Sequence, residues 1–202
     1  FKDCLDSCEN FLKEQGITQG YEMLQCPAEK IPLPDNSVDT AMMRSVLVHI
    51  VDKQPAINEI YRILKKGGHF CCFEPIIRSN TRYWELTEPS EIRNYEEFKK
   101  AENDFMTKAD DSLCNFDENT LAQNFEKAGF SDGTVDADII PSTYVANSKM
   151  VEQWFVAPPA PDKPSIKDRL LNYFDELTVN DYIDDMKQAL DGKEISVCTR
   201  SV

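Results

Sequence analysis

No run of uninterrupted apolar residues in this 202-residue chain approaches the roughly 20 needed to cross a bilayer as a helix. The start, Phe1-Lys2-Asp3-Cys4, is acidic and polar rather than basic and then apolar, so it does not read as a secretory signal. It also lacks an initiating Met, which allows for an N-terminus further upstream. Cys-x-x-Cys pairs, the usual sign of a zinc site, are missing, and no metal is expected. The seven cysteines are odd in number and irregular in spacing; they read as free thiols in a reducing cytoplasm, serving as small core residues. Glycine is scarce, and its seven copies form no cluster of the kind that lets backbone approach a nucleotide. Basic residues are also short, 22 against 36 acidic, for a net charge of -14. Such a surface repels phosphate backbones and anionic lipid, so neither nucleic acid nor membrane is an expected partner. A cationic or neutral small molecule is easier to accommodate. There is no internal repeat.

What remains is a chain long enough to bury a core, with a hydrophobic fraction of 41% and an aromatic fraction of 10%. Leu5, Cys8, Phe11 and Leu12 recur at helical spacing, which predicts a helix over 3–15 stopped by Gly16. A short strand is expected at 21–25, then an extended loop through the three prolines of 27–36. Residues 38–43 read as a buried strand, and 55–64 as a helix with Ile57, Ile60, Tyr61 and Leu64 on one face, ended by Gly67-Gly68. The all-apolar run Phe70–Phe73 predicts a parallel strand, completing a βαβ unit and an α/β fold. Beyond Pro75 the chain turns polar and aromatic-dotted, helical around 90–108. Asp117 then caps a helix closed by Gly129, with Phe116 able to staple against Leu121. A strand near 134–140, helices at 148–156, 165–177 and 178–190, and a last strand at 193–200 complete the pattern. Domain 1–202 is thus read as one partial α/β domain with helical segments at 76–114 and 141–192.

Three blocks stand out: Gln25-Cys26-Pro27-Ala28-Glu29-Lys30-Ile31-Pro32-Leu33-Pro34-Asp35-Asn36-Ser37-Val38-Asp39, Arg44-Ser45-Val46-Leu47-Val48-His49-Ile50, and Glu59-Ile60-Tyr61-Arg62-Ile63-Leu64-Lys65-Lys66-Gly67-Gly68. In this order and at these intervals they resemble the class I S-adenosylmethionine (SAM)-dependent methyltransferases of the ubiquinone-biosynthesis and sarcosine-methylating kind. The resemblance implies a Rossmann-like methyltransferase sheet, SAM as cofactor and a small-molecule acceptor. It also implies that the loops after Gln25 and Met43 leave the sheet at its ligand edge. In the family the first loop offers a carboxylate to the adenine amino group and a backbone N–H to the ring. Here Pro27 stands at the carboxylate position, Ala28 keeps the backbone contact and Glu29 is another acceptor. Arg44 and Ser45 would line the methionine side of the cofactor. The family's first strand, glycine-rich turn and ribose-binding acid should all precede Phe1, so the chain alone is expected to bind SAM poorly and to be inactive.

Methyl transfer from a sulfonium requires nucleophile, methyl and sulfur in line in a site without water; positioning alone is worth ~7–11 kcal/mol. The segments 76–114 and 141–192 are therefore expected to serve as a lid, a cover for the sheet or a dimer contact. His49 is a candidate base or cofactor contact, with capping or packing as its other role. Glu74 is a candidate for orienting a substrate amine or hydroxyl, or else a carboxylate satisfied by backbone. Tyr83 and Trp84, near Arg82, are candidates for an aromatic box around a cationic amine, or for packing alone. The alternative function is a non-catalytic, methyltransferase-like binding or scaffold protein, which Pro27 and the absent glycine-rich loop would suit.

Overall fold

In the computed structural model, which describes residues 2–202, the first helix, α1, spans Lys2–Glu14. Gly16 follows with φ of 77°, so that its N–H donates to the Lys13 carbonyl and that of Ile17 to Leu12. This is the left-handed closure expected of glycine after a helix. The strand expected at Tyr21–Gln25 does not form. A strand exists through its ladder, and among the described residues these have no neighbouring strand to bond; half-buried Tyr21, Met23 and Leu24 do not replace one.

β1 (Val38–Arg44) and β2 (Leu64–Phe73) pair in a two-stranded sheet. Their flanking bonds advance together, Asn36 N–H to Arg62, Ser37 to Ile63 and Ser45 to Phe73, so the strands are parallel. α2 (Lys53–Ile63) joins them. Asp52 caps it by accepting from the Gln54 N–H, and Ala56, Ile57, Ile60 and Ile63 form its buried face. The helix passes straight into β2. Gly67 and Gly68, expected to close the helix, instead lie inside the strand. A Cβ on Gly68 would sit 2.9 Å from the Asp39 carbonyl oxygen, so glycine serves close backbone approach there rather than a helix stop.

The chain forms two compact units. The first comprises the residues up to Met43, Asp52–Cys71 and Asn124–Asp132. It contains α2 and the end of α4 (Glu118–Ala128). Phe70 lies 5.5 Å from Phe125 and 5.8 Å from Phe130, and Tyr61 meets Phe130 edge-on at 5.1 Å. Gly129 packs under the Tyr61 ring, where a Cβ would approach to 2.9 Å.

The second unit comprises Arg44–Val51, Cys72–Gln123 and Gly133–Val202. Here β3 (Asp138–Val145) pairs antiparallel with β4 (Glu194–Ser201), from Asp138 opposite Ser201 to Val145 opposite Glu194. The end of β4 also bonds the residues after β2: Glu74 and Val202 exchange both backbone bonds, and the Ile76 N–H donates to Arg200. β3 starts later than the sequence suggests and contains Pro141, which an edge strand tolerates. The Asp117 cap forms as expected, its carboxylate accepting from the Thr120 N–H.

Segments 76–114 and 141–192 both lie in this unit and build one helical layer from α3 (Tyr95–Phe105), α5 (Ser148–Val156), α6 (Ile166–Leu170) and α7 (Glu176–Leu190). Phe98 of α3 stacks on Tyr182 of α7 at 3.8 Å, and the Arg93 guanidinium grips the Asp185 and Asp181 carboxylates. Phe98, Phe155, Leu170, Val179 and Met186 are fully buried. The single helix expected over 165–177 is shorter because two N-caps, Ser165 and Asp175, start α6 and α7 separately.

Candidate functional site

The turn after β1 carries the second sequence block and lies in the second unit. Arg44, the last residue of β1, is exposed, with its guanidinium 5.9 Å from the Phe73 ring centre. Ser45 has φ of 52°, a left-handed conformation that non-glycine residues adopt at some strain. The surroundings hold it there. Its N–H donates to the Phe73 carbonyl at 2.9 Å, and a short 3-10 helix, Leu47–His49, follows at once.

Glu74 fixes that helix. One carboxylate oxygen accepts from the N–H groups of Val46 (2.9 Å) and Leu47 (3.2 Å), the other from Val48 (3.0 Å). These are the donors a helix start leaves unpaired, and an anion is the natural acceptor for them. Glu74 is 0% exposed. Both its oxygens are engaged, so the expectation that it orients a substrate gives way to the other role, a carboxylate satisfied by backbone. His49 is exposed and donates its backbone N–H to Val46.

Pro27, Ala28 and Glu29 lie in the first unit, at the start of a turn closed by the Lys30 N–H on the Pro27 carbonyl at 3.1 Å. Pro27 and Glu29 are exposed. The Ala28 N–H donates to no group among the described residues. The loop beyond is fastened to α2. The Ile31 N–H donates to Glu59 at 2.7 Å, and the Arg62 guanidinium reaches the carbonyls of Ile31 (3.0 Å) and Leu33 (2.8 Å) and the Asp35 carboxylate (2.6 Å). Two further bonds at 2.7 Å join Arg62 to Glu59. The Arg62 hydrogen bonds pull the Glu59 carboxyl down to about 2. Sequence reasoning assigned neither residue a role. The available signal was a Glu and an Arg one turn apart inside the third block.

Tyr83 and Trp84 do not form an open box. Tyr83 packs against Trp154 (5.9 Å) and Phe155 (5.0 Å), and the Trp84 ring already carries the Lys99 ammonium at 4.5 Å. The protein's own cation occupies that aromatic face. Beneath them lies Glu102, 3% exposed, accepting the Tyr83 N–H at 3.0 Å. Burial raises its carboxyl to about 7. Its position could be read from the sequence, since Phe98, Ala101, Glu102 and Phe105 share one helical stripe. A separate cavity of about 320 Å³ in the same unit is lined by Phe105, Lys108, Asp111, Lys163, Arg169 and Tyr173. With Asp110 and Asp162 also in its lining, three carboxylates face three cations, and Arg169 pairs with Asp111 at its wall.

Comparison with known proteins fits this arrangement. A family described as a methyltransferase domain matches residues 3–72. The ubiquinone/menaquinone biosynthesis C-methyltransferase UbiE of Xanthomonas oryzae pv. oryzae is 40% identical over 57 residues, 28% of this chain and 22% of that protein. The chain therefore spans about a fifth of the length of that curated relative. Among solved structures, YcgJ of Bacillus subtilis superposes with a TM-score of 0.56 at 16% identity, over 100% of this chain and 76% of that one. A Bacillus halodurans C-125 protein assigned as a methyltransferase gives a TM-score of 0.51 at 14% identity, over 100% and 79%. Among the described residues no helix is long and apolar enough to cross a membrane. Residues 3–72 are thus similar in sequence to a methyltransferase domain, and over its whole length the chain shares the fold of these two Bacillus proteins.

Proposed function

We propose that this chain belongs to an enzyme that transfers a methyl group from SAM to a small molecule. The observation that carries the reading is the turn Arg44–Val48, set by Glu74 directly after β1, inside the segment matched to methyltransferase domains.

The residues fit the cofactor at two points and depart from it at one. The Ala28 N–H is unclaimed and suits a ring nitrogen of adenine. Arg44 is exposed beside the Phe73 ring, and a guanidinium matches the carboxylate of a methionine moiety. Pro27 departs, because it offers neither a side-chain acceptor nor a backbone donor to the adenine amino group. Bound SAM would supply an electrophilic methyl on a positively charged sulfur. By the resemblance, Ala28 of the first unit is the adenine-side contact and Arg44 of the second the methionine-side contact. With the Trp84 face occupied by Lys99, the cavity between Phe105 and Tyr173 is the better acceptor site. Thiols held outside disulfides suit a reducing compartment such as the cytoplasm.

The test is calorimetric titration of SAM into the natural polypeptide that contains these 202 residues. Heat of binding that S-adenosylhomocysteine competes away supports the reading; no heat and no competition rejects it. Pro27 favours a second reading, a methyltransferase-like scaffold without catalysis. That reading gains if the polypeptide binds neither compound yet retains a folded core.

A further inference from the structure

We propose that Glu59 and Arg62 form a clamp that sets cofactor affinity by fixing the loop that presents Ala28. The inference rests on the reading of that loop as the adenine side of a SAM site.

The argument starts from what the loop lacks. Residues 21–25 form no strand, so no sheet ladder holds the chain as it enters the turn at Pro27. Downstream, the loop is anchored to the C-terminal end of α2. Glu59 takes the Ile31 N–H; Arg62 takes the Ile31 and Leu33 carbonyls and the Asp35 carboxylate through its side chain. The backbone carbonyls of Arg62 and Ile63 take the N–H groups of Asn36 and Ser37. The turn Pro27–Lys30 stands beyond these anchors and carries the Ala28 N–H, which donates to no group among the described residues.

The clamp is polar and directional. A single planar guanidinium meets acceptors on three loop residues and both oxygens of Glu59, which a lysine ammonium with three donors on one atom cannot copy. Glu59 is more than a counter-ion, because its Oε1 also accepts the Ile31 N–H. Removing either residue frees the loop while leaving the buried face of α2, Ala56, Ile57, Ile60 and Ile63, intact. Glu59 and Arg62 are thus positioning residues: they touch the loop, and the loop touches the cofactor.

The experiment compares the unsubstituted chain with Arg62→Ala, Arg62→Lys and Glu59→Gln. Amide hydrogen exchange over 28–33 is read beside the Kd for SAM, with α7 amides as an internal standard. We expect Arg62→Ala to speed exchange at Lys30 and Ile31 by about tenfold or more, and to weaken SAM binding by a similar factor. Arg62→Lys should restore neither fully, while α7 amides stay unchanged. Faster loop exchange with unchanged SAM affinity overturns the proposal, as does unchanged exchange. Should Arg62→Ala fail to fold, the Glu59→Gln variant decides alone: it keeps shape but loses charge, and equal exchange and affinity to the parent overturn the clamp. If the unsubstituted polypeptide binds no SAM, the functional reading falls first, an outcome distinct from loss of affinity in a variant alone.

Discussion

Glu102, on the buried stripe of α3, accepts a hydrogen bond from the backbone N–H of Tyr83 at 3.0 Å and thereby ties the first aromatic turn of the helical layer to its core. Desolvation raises its carboxyl from 4.5 to about 7. The folded state then holds a proton that the unfolded state releases between those values, so stability is full below about pH 4.5 and falls as pH rises toward 7. At about 1.4 kcal/mol per pH unit of difference, the loss is on the order of 3 kcal/mol. Glu102→Gln, neutral at every pH and still able to accept from Tyr83, should flatten this part of the profile. Urea titrations at pH 5 and pH 8 check it. An identical pH slope in parent and variant would remove Glu102 as its source.

Glu74→Gln tests the turn after β1. A carboxamide offers one acceptor oxygen where three backbone N–H groups now bond. Leaving buried donors without partners costs about 1–3 kcal/mol each, so a loss of about 3 kcal/mol is expected in denaturant unfolding. SAM affinity should fall as well, because Arg44 and Ser45 lose their frame. Full stability in the variant would show that the 3-10 helix holds its own shape.

Phe98→Ala tests whether the two helical segments share one core. Phe98 is 1% exposed, stacks on Tyr182 at 3.8 Å and meets the tilted Phe174 ring at 4.3 Å. Truncation in such a site costs about 3–5 kcal/mol. A shift in the denaturation midpoint equivalent to less than about 1 kcal/mol would contradict the packing described for α3 and α7.

Pro27→Asp should tighten SAM binding. Pro27 is exposed at the start of its turn, and proline is readily exchanged there because its nitrogen bonds nothing. A carboxylate at that position would accept from the adenine amino group, a gain of about three- to tenfold in Kd for one partly solvated charge-assisted bond. Weaker or equal binding would argue that adenine does not lie at this turn.

The helices were largely legible. Their periodic faces and the Asp117 cap are local signals carried by neighbouring residues, whereas the Asp175 cap that splits 165–177 went unread. Strands were less so. Residues 21–25 have strand composition but no partner, and a ladder cannot be read from one segment. Gly67-Gly68 resembles a helix stop because the approach of Asp39 that actually requires glycine is distant in sequence. The site showed the same division. The position of Arg44 beside a strand end followed from the block that contains it. That Lys99 covers Trp84, or that Glu74 spends both oxygens on backbone, depends on contacts between residues 15 to 28 positions apart, which no motif displays.

The direct passage from Ile63 of α2 to Leu64 of β2 has a consequence for how this region can evolve. With no spacer between them, helix and strand share one phase. A single inserted residue in 53–63 would swing everything behind it by about 100° around the helix axis, and the same slip in 64–73 would exchange the two sides of the strand. Substitution is therefore permitted along this stretch where change of length is not, and natural length variation should collect in the connections on either side of it.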